Sequence, residues 1–80
     1  MNTPKPAAGQ IWYDTEEGTH VLLAGADRTH AAACRVAIRR NGQPIAHPRG
    51  RKAERILVRD FTNGQYEYVV TAKAVASDGR

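Results

Sequence analysis

Cysteine is all but missing from this chain: Cys34 stands alone, so no internal disulfide can brace the fold. Stability must then come from packing, from a partner or from self-association. A lone thiol fits a reducing compartment, and Met1 to Gly9 lack the apolar stretch of a signal peptide, which points to the cytoplasm. Long apolar runs are also lacking. Val21 to Ala24 and Ala31 to Cys34 are as long as any, far short of the roughly 20 residues that cross a bilayer, so no membrane partner is expected. Serine occurs once, at Ser77, and neither a glycine-rich phosphate loop nor a nucleophile elbow is present. Asp14, Glu16 and Glu17 cluster, but no second group supplies an acid or base partner, and they read as residues that solvate a turn. His30 and Cys34 lack the second pair that a structural zinc site requires, and Cys34 reads as a small buried hydrophobe. The expectation is a non-enzyme without cofactor or metal.

What is present is positive charge, concentrated in one stretch. The chain's 80 residues carry a net charge of +4, yet residues 35 to 59 alone carry +7. There Arg35, Arg39, Arg40, Arg49, Arg51, Lys52, Arg55 and Arg59 stand against Glu54 alone. Residues 1 to 34 sum to −2 and residues 60 to 80 to −1, so the sequence predicts a basic face between acidic flanks. Arginine is also what a GC-rich genome produces unselected, and a solvated surface is the plain alternative.

Hydrophobic patterning predicts an all-β domain over residues 9 to 71, between a flexible N-terminal tail at 1 to 8 and a C-terminal tail at 72 to 80. Gln10 to Asp14 reads as a strand, with Trp12 and Tyr13 on opposite faces and only one of them in the core. His20 to Ala24 is the second run. Over His30 to Arg40 helix and strand compete: the alanines favour helix, whereas Ala32, Cys34, Val36 and Ile38 alternate as in a half-buried strand. Strand is the reading adopted. Asn41-Gly42 predicts a two-residue hairpin turn that sets Arg39 opposite Pro44 and Ile38 opposite Ile45. Pro44 and Pro48 then face their missing donors outward, making Gln43 to Pro48 an edge strand or arm. Glu54 to Arg59 is a further strand, Asp60 to Gly64 a turn, and Gln65 to Thr71 the last strand, with Val69-Val70 suggesting burial on both faces.

The count is six short runs, or five strands with the Gln43 to Pro48 arm set aside, and five short strands close most simply as a small curled barrel. Gly9 to Asp14 (Gly-Gln-Ile-Trp-Tyr-Asp) and Gly50 to Phe61, followed by a glycine and an aromatic strand, resemble uncharacterised short proteins of actinobacteria and their phages. That resemblance implies an SH3-like small barrel over most of residues 9 to 70, from which the longer Asn41 to Pro48 arm departs. It brings no activity and no site residues with it.

The functional expectation is contact with RNA or DNA through Arg35, Arg39, Arg40, Arg49, Arg51, Lys52, Arg55 and Arg59, with a nearby Tyr or Trp to stack on bases. The alternative is a protein-interaction module, such as a phage-derived inhibitor or accessory factor, that presents the arm and the acidic loop to one partner. A homodimer is a further expectation, because a thin-cored domain gains stability from a second copy.

Overall fold

The computed structural model describes residues 3–46 and 52–71, which are nearly all β. The strands are β1 (Gln10–Asp14), β2 (Thr19–Ala26), β3 (His30–Ile38), β4 (Pro44–Ala46), β5 (Glu54–Leu57) and β6 (Tyr66–Thr71), with a 3-10 turn over Val58–Phe61 between the last two. They form one antiparallel sheet in the order β4-β3-β2-β1-β6. The outer edge of β3 is shared: His30 to Ala33 pair with β5, and Val36 to Ile38 pair with β4. Set β4 aside as an arm, and the other five strands make the curled half-barrel of a small SH3-like fold.

The core is built around aromatics. Trp12 is fully buried, edge-on to Phe61 at 4.8 Å and to Tyr68 at 5.5 Å between ring centroids, and Phe61 lies 4.8 Å from Tyr66. Val21, Leu23, Ile56, Ala31 and Ala33 complete the cluster. Trp12 is thus the core member of the Trp12-Tyr13 pair. Tyr13 is half-buried on the other face, its ring 5.1 Å from that of His20.

Several expectations change. In β3 the residues turned to the aromatic cluster are Ala31 and Ala33, not the Ala32, Cys34, Val36 set, and Cys34 is only half-buried. Ala31 and Ala33 are fully buried in one cluster with Trp12 and Phe61, where close packing penalises added side-chain volume. The hairpin after β3 has a three-residue loop instead of two: Gly42 N–H donates to the Arg39 carbonyl at 2.8 Å, and Arg39 N–H donates to the Gln43 carbonyl at 2.9 Å. Ile38 therefore faces Pro44, and Ala37 faces Ile45. Gly42, at φ 88°, supplies the left-handed residue that this loop type requires. Pro44 keeps its place at an outward-facing site. Pro48 and the tail from 72 to 80 lie outside the described residues.

The strand predicted over Glu54 to Arg59 stops at Leu57, where the 3-10 turn carries Phe61 into the core. Val69 and Val70 are exposed, at 46% and 44%. A bulge shifts the register of β1 and β6 there and turns both valines away from the core. Lys5 and Ala7 are tied to β1 by hydrogen bonds. The buried Gln10 side chain donates to the Lys5 carbonyl at 2.8 Å and accepts from Ala7 N–H at 3.0 Å and from Trp12 Nε1 at 2.9 Å. Among the described residues no helix is long and apolar enough to cross a membrane.

Candidate nucleic-acid interface

Arg35 must be removed from the predicted site. Its guanidinium is 6% exposed and faces inward. Nη1 donates to Asp14 Oδ2 at 2.7 Å and to Thr19 Oγ1 at 2.9 Å, while Nε and Nη2 grip the two Glu54 oxygens at 2.8 and 2.9 Å. One side chain therefore bolts β1, β2, β3 and β5 together. Bidentate grip on Glu54 and then the bond to Asp14 hold the guanidinium protonated well above its ordinary range, against the opposing effect of burial. Burial pushes the Asp14 carboxyl up. Hydrogen bonds from Arg35, Glu17 N–H and Glu16 N–H outweigh it and leave Asp14 below its usual value. Burial raises the Tyr66 hydroxyl, and the neighbouring Asp14 charge adds to this.

The exposed cations divide into two groups along β3, whose nine residues span about 27 Å at strand spacing. Arg39 and Arg40 are exposed at the hairpin tip. Pairing of Val36 with His20 brings that tip to the same end of the sheet as the turn carrying Glu16 and Glu17. At this end, positive and negative charge share the rim. Lys52 is exposed ahead of β5, and Arg49 and Arg51 lie outside the described residues.

The opposite end is different. Arg55 is exposed on β5 opposite Ala32, and Arg59 is exposed on the 3-10 turn just past the pairing of His30 with Leu57. Two cations that the sequence places in an acidic flank join them. Arg28, on the β2–β3 turn, and Arg59 line one cavity of about 310 Å³ with Thr29 and Leu57. Arg28 and Lys5 line a second, of about 640 Å³, with Pro4, Pro6, Val58 and Thr62. A shallower groove joins Arg55 to His30. The antiparallel return of the chain makes this grouping: Val58 N–H donates to the Thr29 carbonyl at 2.9 Å and so sets residues 28 and 59 side by side. Linear charge counting could not find it, because the two residues are 31 positions apart.

Asp27 is the carboxylate at this end that borders the larger cavity. Its Oδ1 accepts from Thr29 N–H and His30 N–H, each at 2.8 Å, and lies 3.2 Å from Thr29 Oγ1. The bond from His30 N–H, followed by those from Thr29, holds Asp27 ionised below the usual carboxylate range. Both ion pairs recorded among the described residues belong to Arg35, so Arg28, Arg55, Arg59 and Lys5 pair with no described carboxylate. Described His, Cys, Asp and Glu side chains form no group of three able to hold a metal. An exposed aromatic, Tyr68, lies beyond the Thr3-Pro4 segment, in a cavity with Phe61, Thr62 and Tyr66 that borders the basic end. Compared with protein-family profiles, with curated proteins and with solved structures, the chain gives no match.

Proposed function

We propose that the domain is a non-catalytic binding module that holds the phosphate backbone of RNA or DNA, chiefly through Arg55, Arg59 and Arg28 at one end of β3. One observation supports this reading: cations from three separate segments, Lys5, Arg28 and Arg59, line neighbouring cavities on one exposed rim, while the Asp14 and Glu54 carboxylates are bound by Arg35. Exposed arginine neutralises phosphate and releases counterions, giving affinity with little dependence on base sequence. Arg39, Arg40 and Lys52 extend the track along the β3 edge and contribute less, because Glu16 and Glu17 share the hairpin end.

Fluorescence anisotropy with labelled single-stranded RNA and DNA tests the reading. The logarithm of affinity should fall with the logarithm of salt at a slope of about −2 to −3, the value for three or four phosphates on a single strand. Charge reversal at Arg55 and Arg59 should weaken binding more than reversal at Arg39 and Arg40. Absence of binding to either polymer at low salt would end the proposal. A protein partner is the second reading, favoured by Tyr68, Val69 and Val70, which stand exposed together on edge strand β6. A second copy of the chain docking there would appear as a concentration-dependent dimer in sedimentation velocity, abolished by Val69→Lys.

A further inference from the structure

Resting on the nucleic-acid reading above, we propose that the two cavities that share Arg28 at the basic end are a seat for a terminal phosphomonoester, the phosphorylated end of a strand. Arg28 borders both cavities, and Arg59 lines the smaller one with it. The larger, at about 640 Å³, falls in the range of about 300–1,000 Å³ typical of small-molecule sites. Its walls are chemically split: Pro4, Pro6 and Val58 offer an apolar surface for a sugar or base, while Lys5 and Arg28 offer charge. The one carboxylate on the wall, Asp27, stays ionised, with Oδ1 engaged in closing its own turn, and that closure holds Arg28 at the apex.

Charge selects the end over the middle. A phosphomonoester carries about −1.5 to −2 at neutral pH, against −1 for an internal phosphodiester. Two planar guanidiniums each offer paired donors to its free oxygens. An internal phosphate would also have to carry chain out of the cavity on both sides, whereas an end carries it out on one.

The test uses the full chain and one hexanucleotide made in three forms, with a 5′-phosphate, with a 3′-phosphate and with neither. A phosphorylated form should bind about tenfold tighter than the unphosphorylated one, as two charge-assisted contacts permit. The advantage should fade below about pH 6, where the phosphate takes up its second proton. Combined Arg28→Ala and Arg59→Ala changes, both on exposed side chains, should bring the three forms level without altering the circular dichroism spectrum. Equal binding of all three forms by the unmodified chain overturns the seat and leaves the backbone reading intact. If no hexanucleotide binds, phosphorylated or not, the seat and the backbone reading both fall, even where adenosine monophosphate shifts the Arg28, Val58 and Thr62 amides in NMR spectra. Inorganic phosphate competing as well as adenosine monophosphate would overturn the role of the apolar wall.

Discussion

At the scale of single residues, Arg35 shows how a charge read as surface becomes structure. Removing it leaves Asp14, 1% exposed, as a buried carboxylate without its cation, a loss of about 3–5 kcal/mol. Urea unfolding of Arg35→Ala should register that loss. Combining Arg35→Met with Asp14→Asn should recover part of it, since the asparagine oxygen still accepts from Glu16 and Glu17 N–H. A double variant no more stable than Arg35→Ala would contradict this account. Acid tests the same bond from the other side. The Asp14 carboxyl lies below its ordinary value in the folded chain, so the stability it contributes is present above that ordinary value and is lost as pH falls through the lower folded value. Stability should therefore stay level from neutrality to about pH 5 and drop below pH 4. The drop should be shallower in Asp14→Asn. Nothing in local composition marks Arg35 apart from Arg39. Only the pairing of β1, β2 and β5 around it draws it inside.

At the scale of elements, strand positions were largely legible, because alternation and turn residues are local signals. Which way each strand faces was less so. Val36 and Ile38 outweigh alanine on any hydrophobic scale, yet Ala31 and Ala33 join the aromatic cluster around Trp12, whereas Val36 is buried outside that cluster and Ile38 is half-buried. The hairpin loop turned on one residue in the same way: Asn41 caps Gln43 N–H at 3.0 Å, and the turn closes as a three-residue loop that moves β4 by one position. Two glycines allow a contrast. Gly42, at φ 88° with open space around it, should lose about 1–2 kcal/mol on change to alanine, from torsion alone. Gly25 has open space and no left-handed φ, so Gly25→Ala should instead gain about 0.4–1 kcal/mol by restricting the unfolded chain. Thermal unfolding of the two variants checks both signs.

At the scale of the whole molecule, the basic stretch was legible as a sum and illegible as a shape. Its charges run the length of β3, one of them ends up inside, and the densest group forms only with Arg28 and Lys5, which the sequence counts elsewhere. The molecule's outline carries one more consequence. No ladder joins β5 to β6 among the described residues, and the turn between them packs the Phe61 ring against Trp12 and Tyr66. A hoop left unwelded parts at its gap, so amide hydrogens of β5 and β6 should exchange ahead of those where β2 meets β3. Phe61→Ala should widen that difference, whereas uniform exchange across all strands would mean that the cylinder gives way everywhere at once.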